Sequence, residues 1–136
     1  MNTHAAGTFD ITINPQPPYD TVSGAILSRV SISKVFHGDL QAVSTLEMLS
    51  AITTVSNSAG YVAIEHVTGT LLGRAGGFVL QHSGTMTRGK PELRVSVVPD
   101  SGTGELARIR GSMVIEIIDG KHIYEFDFDF ADPPVS

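Results

Sequence analysis

The residues of this chain best suited to move a proton are Glu65 and His82. A carboxylate taken out of water has its pKa raised, and an imidazole beside it can exchange a proton with it. Whether the two meet depends on one hairpin. With Arg74-Ala75 as a two-residue loop inside Gly73-Arg74-Ala75-Gly76, Leu71 faces Phe78, Gly69 faces Leu80, Val67 faces His82, Glu65 faces Gly84 and Ala63 faces Met86. That face is largely apolar. The other face pairs Thr70 with Val79, Thr68 with Gln81, His66 with Ser83 and Ile64 with Thr85, and is largely polar. A slip by one residue would mix the two sets, which burial of one face resists. The register puts Tyr61, Glu65 and His82 on the inner face, with Glu65 and His82 on a diagonal. The same placement supports a plainer role, in which the two only satisfy each other's hydrogen bonding inside a core.

A second hairpin turns at Asp119-Gly120, a strong type I′ signal. Ile117 then faces His122, Ile115 faces Tyr124 and Met113 faces Phe126, with Phe128 and Phe130 continuing the dry face. Glu125, Asp127 and Asp129 line the wet face, with Arg110 across from Asp129. Tyr61 and Tyr124 are inner-face candidates whose hydroxyls could orient a ligand or could plug a mouth. Phe78 and Leu80 would line the same interior. Glu47 shares a face with Val43, Thr45, Leu49 and Ala51 and is a further candidate to point inward.

Other chemistries find little support. The five histidines His4, His37, His66, His82 and His122 lie at no i, i+2 or i, i+4 spacing, so no metal is expected. Asp127 and Asp129 lack the glycine and bidentate Glu of an EF-hand loop. Ser101-Gly102-Thr103-Gly104-Glu105-Leu106 holds a GxG but not GxGxxG, since Ala107 takes the last place, and it reads as a turn. There is no GK[ST] and no GxSxG elbow. No cofactor is expected.

The elements that must position these residues are strands. Period-2 alternation recurs between Gly, Pro, Asn and Asp punctuation. It predicts eight strands, near Gly7–Ile13, Gly24–Phe36, Gln41–Thr53, Gly60–Leu72, Gly76–Thr87, Glu92–Val98, Leu106–Ile118 and Lys121–Phe130. Gln41–Ile52 could line a helix with Leu46, Met48, Leu49 and Ile52, but Val43, Thr45 and Thr53 favour a strand. Asn14–Tyr19, with three prolines, is a loop, and the tail Asp132–Ser136 is extended. Eight strands on short connections predict an all-β, eight-stranded antiparallel barrel, closed to remove its edges. A two-sheet sandwich fits the same count. An eight-stranded barrel is just wide enough for side chains or one small ligand.

Length and composition set the outer bounds. The 136 residues make a single domain, residues 1–136, since domains commonly run to ~100–150 residues. Charged residues are 17% against a usual ~25%, and hydrophobic residues 41%, which argues against disorder. Cysteine is absent, which excludes disulfides, thiolate metal sites and a thiol nucleophile. Nine Lys and Arg stand against 14 Asp and Glu, a net charge of -5, the wrong sign for nucleic acid or an anionic membrane. With neither a leader-like start nor a ~20-residue apolar run, a soluble cytoplasmic protein is expected. Val114, Ile118 and Ile123 fall on the outer face of the last hairpin and suggest a patch, hence a homo-oligomer, with a dimer favoured.

Three segments carry a resemblance: Lys34-Val35-Phe36-His37-Gly38-Asp39-Leu40, the run from Glu65 to Thr85, and Val97-Val98-Pro99 with Ser101–Leu106 and Gly111. Together they cover most of residues 7–130. The chain resembles an uncharacterised bacterial family of a domain of unknown function. That family is similar in fold to allene oxide cyclase and dirigent proteins. The resemblance implies an eight-stranded antiparallel barrel, commonly oligomeric, with an apolar cavity. Those relatives bind or cyclise apolar small molecules. Ala107-Arg108-Ile109-Arg110 departs from the family, which usually has a second glycine there. The resemblance assigns no catalytic role to Glu65 or His82. Three functions stay open: a binding module for a small apolar ligand in the interior, held by Tyr61, Glu65, Phe78, Leu80, His82 and Tyr124; an isomerase or cyclase using Glu65 and His82; and a structural oligomer with a filled interior.

Overall fold

The computed structural model describes residues 2–133, so the expected tail lies, from residue 134 on, outside the described residues. Ten strands follow in order: β1 (Thr3–Pro15), β2 (Asp20–Val22), β3 (Ala25–Gly38), β4 (Leu40–Thr53), β5 (Ala59–Leu71), β6 (Arg74–Thr87), β7 (Lys90–Val97), β8 (Thr103–Gly104), β9 (Ile109–Ile118) and β10 (Lys121–Phe130). Eight of them close an antiparallel barrel in the order β1-β10-β9-β7-β6-β5-β4-β3, with β3 pairing back to β1. β1 serves both neighbours, β10 along Thr3–Phe9 and β3 along Gly7–Pro15. The expected eight strands are the barrel strands; β2 and β8 are short additions. Gln41–Ile52 is a strand. Leu106, expected to open β9, lies instead in a turn before it and is buried.

Turn chemistry sets the registers. Leu72-Gly73, Arg88-Gly89 and Asp119-Gly120 all carry positive φ at both positions, the requirement of a type I′ turn. The Asp119-Gly120 hairpin pairs as expected, Ile115 with Tyr124 and Met113 with Phe126. The β5–β6 hairpin does not. Its turn is Leu72-Gly73 rather than Arg74-Ala75, so Val67 faces Phe78, Glu65 faces Leu80 and Ala63 faces His82. The shift is an even number of residues, so every side chain keeps its face. A leucine at φ 47° disguised the turn.

Inward residues alternate along each strand. At one end of the barrel they are large: Phe36, Phe78, Phe126, Phe128, Leu40 and Leu71 are buried. Phe78 stacks on Phe126 at 5.6 Å between centroids, and Phe126 on Phe128 at 5.3 Å. Such pairs add ~0.5–1.5 kcal/mol each beyond their buried area. Leu106 and Ile109 complete the plug. β7 ends at Val97, opposite Leu80, and leaves the edge of β6 from Arg74 to Val79 without a partner strand. The Ser101–Glu105 segment takes its place. Gly104 and Thr103 pair with Gly76 and Gly77. Ser101 Oγ accepts from the Val79 amide at 3.0 Å, Thr103 Oγ1 from Gly77 at 3.0 Å and Glu105 Oε1 from Ala75 at 3.2 Å. A Cβ at Gly76 would fall on the Thr103 carbonyl, so glycine is required there. The GxG run is thus wall rather than nucleotide cradle.

The outer face bears Val114 and Ile118, both exposed, and the Arg110–Asp129 ion pair. Ile117, on the inward parity, is 67% exposed because its end of β9 stands at the barrel mouth. Glu47 points outward, against the inward expectation. Its carboxylate accepts from Arg29 Nε at 3.1 Å and Ser31 Oγ at 2.9 Å.

Three stability outcomes follow. Leu80→Ala should cost about 2–5 kcal/mol, as for a buried leucine, and Gln81→Ala under about 0.5 kcal/mol. Leu72→Asn should stabilise by roughly 0.5–1 kcal/mol, since Asn tolerates the left-handed region. Urea unfolding measures all three, and an exposed-residue cost at Leu80 would contradict the inward assignment.

Candidate functional site

Behind the aromatic plug, a polar cluster crosses the interior. β5 contributes Glu65, which is 0% exposed, and β6 contributes His82 at 3%. His82 Nε2 donates to Glu65 Oε1 at 2.7 Å, and Lys34 Nζ of β3 donates to the same oxygen at 3.1 Å. Ser44 Oγ of β4 donates to Oε2 at 2.6 Å. Lys34 and Ser44 are direct cross-strand partners, which aims both at one carboxylate. The Lys34 ammonium also lies 4.7 Å from the centre of the Phe9 ring, a second favourable contact for its charge.

The electrostatics oppose one another. Burial pushes the Glu65 carboxyl up; the His82 hydrogen bond, the Lys34 charge and the Ser44 hydroxyl push it down and prevail. The carboxyl is therefore held below its ordinary value, the reverse of the rise expected from desolvation alone. Both of its oxygens are engaged. The diagonal contact of Glu65 with His82 survives the corrected register because Glu65 now faces Leu80 and His82 faces the small Ala63.

The other expected residues divide. Phe78 and Leu80 are packed in the core at 1% and 0% exposure. Tyr124 is buried, and its hydroxyl donates to the His37 carbonyl at 2.9 Å and accepts from the Leu40 amide at 2.9 Å. It straps the β3–β4 turn to β10. A Cβ on Gly7 would strike that turn and the Tyr124 ring. Of the six, Tyr61 lines the open space at the barrel mouth.

That space is a cup at the mouth opposite the plug, about 580 Å³ in volume. Its apolar wall includes Val30, Met48, Ile52, Met86 and Leu93. The volume exists because the inward residues shrink toward this end: Ser28, Ser50, Ala59 and Gly84 stand where the other end has Phe and Leu. A Cβ on Gly84 would collide with the Tyr61 ring, so this glycine lets the phenol lie across β6. Burial, then the Glu65 charge, raise the Tyr61 phenol above its ordinary value, so it stays protonated.

Sequence reasoning missed Lys34, Ser44 and the cup. Lys34 had a signal, as a lone cation in the alternation Val30, Ile32, Lys34, Phe36. Among the described residues no three His, Asp or Glu side chains converge to hold a metal ion, and no helix is long and apolar enough to cross a membrane.

Two outcomes test the cluster. Lys34→Met takes the ammonium from a buried carboxylate, leaving it His82 and Ser44, and should cost about 3–5 kcal/mol at neutral pH. Because the folded carboxyl sits below the unfolded value, its contribution is present above about pH 4.5 and is lost as pH falls through the folded value. Stability against pH should fall on that acid limb, and Glu65→Gln, though less stable at neutral pH, should lose the limb. An unchanged acid limb in Glu65→Gln would remove Glu65 as its source.

Comparison with known proteins agrees with the architecture. A crystal structure of a protein of unknown function from the DUF3224 family of Shewanella oneidensis MR-1 is 49% identical and superposes with a TM-score of 0.92, covering 97% of this chain and 100% of that one. No curated protein matches. The family model described as "Protein of unknown function (DUF3224)" matches residues 5–128, and the chain belongs to that family.

Proposed function

We propose that the barrel is a binding module for one small, mostly apolar molecule seated in the cup at its mouth. The observation that carries this reading is the cup itself. Its volume of about 580 Å³ falls within the ~300–1,000 Å³ of small-molecule sites. Its wall is mostly apolar, with a few polar groups, among them Ser28, Ser50 and Tyr61. An apolar ligand is also what the sequence resemblance to a family similar in fold to allene oxide cyclase and dirigent proteins implies. The site differs from the interior first expected. Phe78, Leu80 and Tyr124 form the base on which the cup stands, and Tyr61 is the expected residue that meets the guest. An isomerase or cyclase would need substrate at Glu65, which presents no surface and already accepts three hydrogen bonds.

The methionines supply the test. Met48 and Met86 line the cup, whereas Met113 is buried in the core. Titration with N-phenylnaphthylamine, a neutral apolar fluorophore, should shift the Met48 and Met86 methyl resonances and leave Met113 in place. Ala59→Trp, which fills the rim, should abolish both the shifts and the fluorescence gain. Binding that survives Ala59→Trp, or no binding by any apolar probe, would overturn the reading.

A further inference from the structure

The cup has a polar row on one wall, and its composition selects among ligands. Ser28 of β3 lies directly opposite Ser50 of β4, and Ser50 opposite Tyr61 of β5. All three line the cup, and all three are half-buried. Their hydroxyls make no hydrogen bond to another protein group among the described residues, in contrast to those of Ser44 and Tyr124. Apolar residues flank the row on both sides, Ile52 with Ala59 toward the rim and Val30 with Met48 inward. Three hydroxyls free to donate sit between these apolar pairs, and Gln16, Thr85 and Glu92 add polar groups elsewhere in the lining.

Charge is distributed to match a neutral guest. No Lys or Arg is among the described residues lining the cup; the one ionisable carboxyl there is Glu92. The inward cation Lys34 is committed to Glu65 at 3.1 Å. Arg29 turns outward to Glu47. A carboxylate placed beside the row would lose its water without gaining a countercharge, and it would face the field of Glu65.

We propose that the cup takes a neutral, compact hydrocarbon bearing one hydroxyl or carbonyl oxygen, held through the Ser28–Ser50–Tyr61 row, and discriminates against carboxylates. The proposal rests on the binding reading above and adds the ligand class. One oxygen can accept from two of the hydroxyls, and an alcohol can also donate back to a serine. A pure hydrocarbon fills the cup but leaves the row unpaired, which costs affinity.

Three probes of one shape test it: tert-butylcyclohexane, the corresponding alcohol and the corresponding carboxylate. Affinity is read from the Met48 and Met86 methyl resonances at neutral pH. The alcohol should bind at least about tenfold tighter than the carboxylate and several-fold tighter than the hydrocarbon. Ser50→Ala and Tyr61→Phe should each weaken the alcohol by about three- to tenfold and leave the hydrocarbon within about twofold. Both substitutions remove only an oxygen, so folding is retained. Equal binding of all three probes, or an alcohol indifferent to both substitutions, overturns the ligand class and leaves the binding reading standing. If none of the three binds, both fall.

Discussion

The interior of an eight-stranded barrel has a fixed, narrow cross-section, and every inward side chain competes for it. The rest of this structure follows from how that space is divided along the axis. Phenylalanines and leucines fill one end until they touch ring to ring. Serines, an alanine and a glycine leave the other end hollow. The boundary falls at the Glu65 cluster. Function, where it involves a guest molecule, is therefore displaced to the hollow end, and the aromatic end serves as the rigid base.

The cluster at that boundary is costly to bury and is arranged to limit the cost. A carboxylate in a dry interior is penalised by several kcal/mol, on the order of what one good countercharge returns. Here an ammonium, an imidazole and a hydroxyl converge on it from three other strands. Such an arrangement adds little to net stability compared with apolar packing. It fixes the relative height of β3, β4, β5 and β6, because a slip of any one strand would leave a buried charge alone.

Much of this was legible in the sequence. Alternation alone placed Tyr61, Glu65, Phe78, Leu80, His82 and Tyr124 on inner faces, and the structure keeps all six there. The hairpin register was misread, since Leu72 occupies a turn position normally held by Asn or Gly. The faces survived because the shift was even. The cup was not legible. It depends on which ends of six strands meet at one mouth, and the stagger of a closed sheet decides that rather than any local pattern. Tyr124 shows the same limit: its inward face was predictable, whereas its grip on the His37 carbonyl needed the barrel to be closed.

The seam of the barrel joins the first strand to the last, Thr3–Phe9 against His122–Phe128. During synthesis β1 can pair with β3 early, but half of its length must wait for almost the whole chain to emerge. Until then its free amides and carbonyls, and those of β6 awaiting the Ser101–Glu105 segment, remain an unpaired edge open to other chains. Contacts this distant in sequence also make closure slow. A chain cut short before β10 would lose more than one strand's worth of packing. It would keep an adhesive border that the complete protein never displays.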